Sequence, residues 1–184
     1  MKDFHSGDVF AVRGKGIFGW ACRNLFTPTT DRVHFGIIYD YVEEDKDYII
    51  LESIIGSTNK GMTVGRLSTY NMDDIEVYRV AGSDWENLGR RAATSLTKYG
   101  RAPYDHLLLI KVVFSCLRFL ALGKLPPWKP EHIPYARDSR LICTEAANQA
   151  WAMVGKPIIP QGIVPLPAGF KQALDTGKLL RVYP

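Results

Sequence analysis

The sequence predicts an α+β fold, an antiparallel sheet formed early in the chain with later helices packed against it. Three observations predict it. Runs rich in β-branched and aromatic residues crowd the first half, and the two strongest are separated by a short polar loop, as in a hairpin. Helical patterns with recognisable start and stop residues dominate the second half. This order of strands first and helices later argues against a doubly wound parallel sheet, in which the two alternate. With 184 residues the chain supports one core and is short for two, so 1–184 is read as a single domain. Its 46% hydrophobic and 23% charged residues are those of an ordinary globular protein.

The elements follow in order. Val9 to Arg13 reads as a short strand and Gly14 to Gly19 as a glycine-rich turn. Phe18 to Phe26 is a short helix, which Pro28 stops. Val33 to Tyr39 and Tyr48 to Ile55 are strands. Between them, Asp40 to Asp47 carries five acids and one lysine and reads as an exposed hairpin loop. Ile75 to Val80 is another strand. Ser83-Asp84-Trp85-Glu86 has the form of a capping box and opens a helix to about Tyr99, with Gly100 as C-cap. Leu107 to Leu122 is an apolar helix of 16 residues that includes Lys111, Ser115 and Arg118. A spanning helix wants about 20 apolar residues, so this one reads as buried or interfacial. Leu125 to Pro134 holds four prolines and reads as a loop. Cys143 to Val154 is a helix that ends near Gly155 and Pro157; Ile158 to Pro167 is extended; Ala168 to Thr176 is a helix capped by Gly177; Leu179 to Tyr183 is a last strand.

Charge and cysteine usage narrow the function classes. A net charge of +4 and a pI near 8.9 are too mild for a nucleic-acid arm, so no nucleic-acid partner is expected. From Lys98 to Arg140, eight bases face three acids, which suits a solvated surface or an anionic partner such as a membrane surface. The three cysteines, Cys22, Cys116 and Cys143, are widely spaced and form no CxxC pair, so neither a zinc knuckle nor a disulfide framework is expected. The N-terminus has no apolar h-region, and a cytoplasmic location is expected. His5, His106 and His132 follow no metal-binding spacing, and no metal or cofactor is expected. Gly14-x-Gly16-x-x-Gly19 after a strand has the outline of a dinucleotide fingerprint. That reading is rejected, because Pro28 shortens the helix and the next strands form a hairpin where a βαβ unit needs a crossover.

Three residues could carry chemistry. On the strand around His34, side chains alternate, so His34, Gly36 and Ile38 share a face. On the next strand, Glu52 shares a face with Tyr48, Ile50 and Ile54, where an unpartnered carboxylate would be costly. If the hairpin loop centres on Glu43, His34 faces Glu52 directly; one residue either way makes them diagonal neighbours, about 7–8 Å apart and within side-chain reach. Taken alone, this reads first as a structural pair. Cys143 opens a good helix-forming run, with Asp138 and Ser139 as candidate caps, and a helix start favours thiolate over thiol. Taken alone, it reads first as an inert core cysteine, as do Cys22 and Cys116. Together the histidine–acid pair and the helix-start cysteine form the set a cysteine hydrolase needs.

The segments Gly7-Asp8-Val9-Phe10, Arg13-Gly14-Lys15-Gly16, His34-Phe35-Gly36-Ile37-Ile38, Leu51-Glu52-Ser53, Tyr104-Asp105 and Cys143-Thr144-Glu145-Ala146 come in the order found in the circularly permuted NlpC-like hydrolases of the YiiX and YaeF type, which the chain resembles over most of its length. The resemblance implies a permuted papain-like fold, with Cys143 as nucleophile, His34 as base and Glu52 as the residue that orients the histidine. The chain departs from the family's Cys-Ser-Glu-Leu-Val at Thr144, Ala146 and Ala147, which bears on substrate preference. The expected activity is cysteine-dependent hydrolysis of a peptide or lipid-like amide, ester or thioester through an acyl-enzyme. The alternatives are a lipid acyltransferase-like enzyme and a non-catalytic binding module on the same fold.

Overall fold

The computed structural model describes residues 3–21, 30–55, 60–82, 84–100, 102–121 and 140–184. Six strands, β1 (Val9–Arg13), β2 (Arg32–Val42), β3 (Asp47–Ile55), β4 (Lys60–Arg66), β5 (Ile75–Val80) and β6 (Leu179–Tyr183), form one sheet in the order β4-β3-β2-β1-β5-β6. Every neighbouring pair is antiparallel. The helices are α1 (Gly16–Ala21), α2 (Trp85–Leu96), α3 (His106–Ala121), α4 (Cys143–Ala152) and α5 (Pro167–Asp175). All but α1 lie between β5 and β6 in the chain.

β2 is central because it is apolar on both faces. Phe35 and Ile37, with Val9, Ala11 and Leu51, face a core completed by Ala92 and Leu96 of α2, Ala146, Ala150 and Trp151 of α4, and Phe170 of α5. Ile38 and Ile50, with Phe10, Ile75 and Val77, face a second core closed by Phe4 and Leu67. The Trp151 indole donates to the Gly7 carbonyl at 3.0 Å, which ties α4 to the start of β1. Gly36 has no Cβ because the Phe10 ring occupies its place; a Cβ there would lie 2.4 Å from that ring.

The β2–β3 loop turns at 43–46, exposed as its acids suggest, with Lys46 in the left-handed region at φ 52°. β1 and β2 are antiparallel neighbours, so the GxGxxG segment opens no parallel βαβ unit. Gly14 and Gly19 instead let two backbone segments approach, since a Cβ on either would lie within 2.8 Å of the other's backbone.

Several boundaries differ from expectation. β4, with glycine at Gly61 and Gly65, was not anticipated. α2 starts at Trp85 with Asp84 as N-cap, and Asn87 donates to the Asp84 side chain at 2.9 Å. Ser83, the expected cap, lies outside the described residues, as do Cys22, His132, Asp138, Ser139, the 125–134 loop and the expected α1 extension beyond Ala21. Among the described residues, no helix is long and apolar enough to cross a membrane.

Candidate active site

The N-terminal end of β2, the C-terminal end of β3 and the start of α4 meet at one end of the sheet. Ser53 of β3 donates to the Leu141 carbonyl at 2.6 Å, and the Leu141 amide donates to the Pro103 carbonyl, so the chain entering α4 is fastened to β3. Ile142 is the N-cap residue, with extended backbone and no capping side chain. Glu145 takes up that function by accepting from the Ile142 amide at 2.9 Å. Cys143 is thus the first residue of α4, where backbone N–H groups have no partner within the helix and the dipole favours negative charge.

The register of β2 against β3 pairs Gly36 with Glu52, which makes His34 and Glu52 diagonal neighbours on one face. Their side chains close the gap: His34 Nε2 lies 2.5 Å from Glu52 Oε2. Glu52 is 4% exposed and has a second donor, the Tyr70 hydroxyl, 2.6 Å from the same oxygen. The Tyr70 ring stacks on the His34 ring with centroids 5.9 Å apart, and Phe10 supports both. Tyr70 follows a single 3-10 turn, Leu67–Thr69, in the β4–β5 connection. Its role was not legible in the sequence, because nothing local marks a loop tyrosine that only tertiary packing brings to β2.

Cys143 Sγ lies 3.9 Å from the carbonyl of Val33, the residue before His34, and Cys143 and His34 line the same cleft. Burial opposes charge on the His34 ring, but hydrogen bonds and charge from Cys143 and Glu52 outweigh it and raise its pKa to about 10. Burial, then the Glu52 carboxylate, pushes the Tyr70 hydroxyl upward, so it stays a donor.

His34, Tyr70, Cys143 and Thr144 line a cleft of about 340 Å³. Its apolar walls include Leu109 and Val112 of α3 and Ile54, Ile142 and Leu166, and Arg13 and Lys15 stand among its basic residues. The Thr144 hydroxyl is buried without a hydrogen-bond partner among the described residues. His5 pairs with Asp3 at 3.3 Å, and Asp105 accepts from the Leu108 amide at 2.9 Å at the start of α3; neither joins the cleft chemistry. Cys116 lies in α3, with nothing described of its side chain.

The sheet order and the helices placed between β5 and β6 define an α+β fold of the YiiX type. The solved structure it matches is that of the metalloprotein yiiX from Escherichia coli O157:H7, with a TM-score of 0.55 and 15% identity over 94% of this chain and 81% of that one. At that identity the likeness is one of fold. No protein-family model and no curated protein matches the chain. The yiiX protein is described as a metalloprotein, but among the described residues here no group of three or more His, Cys, Asp or Glu side chains is placed to hold an ion. His34 Nε2 is bonded to Glu52. The described residues do not fit a metal.

Proposed function

We propose that the chain is a cysteine hydrolase of permuted papain-like type that forms an acyl-enzyme on Cys143. The observation that carries this reading is the imidazole of His34, bonded through Nε2 to the Glu52 carboxylate at 2.5 Å, in one cleft with Cys143 at the start of α4. A His34 raised to about 10 holds its proton at neutral pH, which favours a thiolate–imidazolium pair. The thiolate attacks the substrate carbonyl carbon, and the resulting oxyanion accepts from the backbone amide of Cys143 at the helix start. His34 gives its proton to the leaving amine or alcohol as the C–N or C–O bond breaks. Water, deprotonated by the now neutral ring, then attacks the thioester; the carboxylic acid leaves and the pair is restored. Glu52 keeps the ring oriented throughout.

The substrate class follows from the walls. Leu109 and Val112 present an apolar strip of α3 to the cleft, while Arg13 and Lys15 stand on its basic side. This favours an amide, ester or thioester with an apolar acyl part over a polar cell-wall peptide. The outer face of α3 exposes Leu107, Ile110 and Phe114 beside Lys111, which supports contact with a membrane surface. The test is labelling with a cysteine-directed acyl probe. The wild type should be acylated at Cys143, and Cys143→Ala should not be labelled. Equal labelling of the variant would leave a non-catalytic binding module as the better reading.

A further inference from the structure

Tyr70 stands apart from the expected three residues, yet it shares their central atom. Glu52 is a buried carboxylate with two oxygens and two strong donors, and both donors converge on Oε2, His34 Nε2 at 2.5 Å and the Tyr70 hydroxyl at 2.6 Å. The other oxygen, Oε1, faces Gly65 of β4, where an added Cβ would stand 3.2 Å away. A side chain at that position would press on the carboxylate, so Gly65 leaves Glu52 the room its position needs.

We propose that Tyr70 is a positioning residue of the proposed active site: its hydroxyl fixes Glu52 Oε2 and draws off part of the carboxylate's charge, which sets how tightly His34 holds its proton. The inference rests on the hydrolase reading, because it matters only if His34 must both keep a proton beside the thiolate and surrender it to a leaving group. An ion pair with an unshared carboxylate would make imidazolium a poor acid. A hydrogen bond donated to the same oxygen weakens that hold without removing the orienting contact. The charged and titratable groups that face the pair are Cys143 from α4, Glu52 from β3, Tyr70 from the β4–β5 connection, and Arg13, Lys15 and Tyr104 lining the same cleft. Burial keeps the Tyr70 hydroxyl protonated, so its contribution is constant while the Cys143–His34 pair titrates. The tyrosine ring has a separate task, stacking on His34 at 5.9 Å and resting on Phe10 at 5.7 Å, and phenylalanine would keep it.

The experiment uses the full chain with 13Cε1-labelled histidine; the sequence has four, so assignment by His34→Gln is direct. The upper titration of the Cys143–His34 pair is followed by NMR, and in parallel the pH dependence of Cys143 alkylation by iodoacetamide. Tyr70→Phe should move the upper titration to higher pH by about half a unit or more, the scale of one lost hydrogen bond to a charged group. In any acyl-transfer assay it should lower kcat several-fold, on the order of 3–10, with KM unchanged. Tyr78→Phe removes a separate buried tyrosine–carboxylate contact, that with Glu76, and should leave the titration where it was. If Tyr70→Phe fails to fold, 3-fluorotyrosine at position 70 keeps the shape with a stronger donor, and the titration should move to lower pH. No movement with either replacement, or an equal movement in Tyr78→Phe, overturns the proposal. Failure of the hydrolase reading looks different, since Cys143 alkylation in the wild type would then be insensitive to His34→Gln.

Discussion

At the scale of single residues, three side chains with ordinary properties become unusual through their neighbours. A buried imidazole by itself would lose its proton, because burial penalises the charged form. Hydrogen bonding and charge from Cys143 and Glu52 reverse the sign and carry His34 to about 10. Glu52, 4% exposed, is tolerable because His34 and Tyr70 both meet it. Glu52→Gln keeps the size and a hydrogen bond but removes the charge that stabilises imidazolium. The expected outcome is a folded protein whose acyl-transfer rate falls at least about tenfold; circular dichroism and thermal unfolding check the fold, and probe acylation of Cys143 checks the rate. Loss of folding with no separable loss of rate would reduce Glu52 to a structural partner. In the sequence, His34, Glu52 and Cys143 each read first as structural or inert, and only their combination, a histidine–acid pair with a thiol opening a helix, together with the family resemblance, singled them out. Tyr70 carried no such mark, since a tyrosine in a loop is unremarkable until the fold places it beneath β2.

At the scale of elements, the strands with β-branched runs were legible, and so was the β2–β3 register within one residue, because a short loop of known centre leaves few pairings. The exception is β4. Lys60–Arg66 has charged ends and two glycines, so its pairing with β3 owes more to the sheet edge than to its own pattern. The start of α4 was placed by Cys143 itself, while its cap, the reach of Glu145 back to Ile142, replaces the expected serine or aspartate. Two tests belong to this scale. Gly36→Ala would drive a methyl into the Phe10 ring and against the Leu51 carbonyl, so it should cost about 1–3 kcal/mol of stability. It should also slow the chemistry, because Phe10 supports His34 and Tyr70; urea unfolding and Cys143 alkylation measure the two effects. Leu109→Gln alters the wall of the cleft without touching the triad. It should raise KM for long-chain acyl substrates and leave small activated esters unaffected, and an equal effect on both would remove α3 from substrate binding.

At the scale of the whole molecule, the site lies at one end of the central strands, against a third apolar cluster that includes Val112, Ile142 and Leu166, and its ionisation is coupled to the stability of the fold. Two buried clusters set opposite limits. Burial opposes charge on Glu76, but the bonds from Arg32, at 2.6 Å, and from Tyr78 outweigh it and hold the carboxyl below its ordinary range. A group lowered on folding adds stability that is complete above its unfolded value, near 4.5, and is lost as the pH falls through the folded one. His34 has the opposite sign. Its folded value of about 10 exceeds the 6.5 of an unperturbed histidine, so its contribution is complete below about 6.5 and is lost as the pH rises through about 10. Both contributions are therefore whole between about pH 4.5 and 6.5, and thermal midpoints should be highest there, with an alkaline decline that starts well below the range of lysine titration. His34→Gln should flatten the alkaline side and leave the acid side in place. Arg32→Met with Glu76→Gln should do the reverse, since changing both partners avoids stranding a buried charge. An alkaline decline of unchanged slope in His34→Gln would mean that the His34 imidazolium is not what couples the site to the fold.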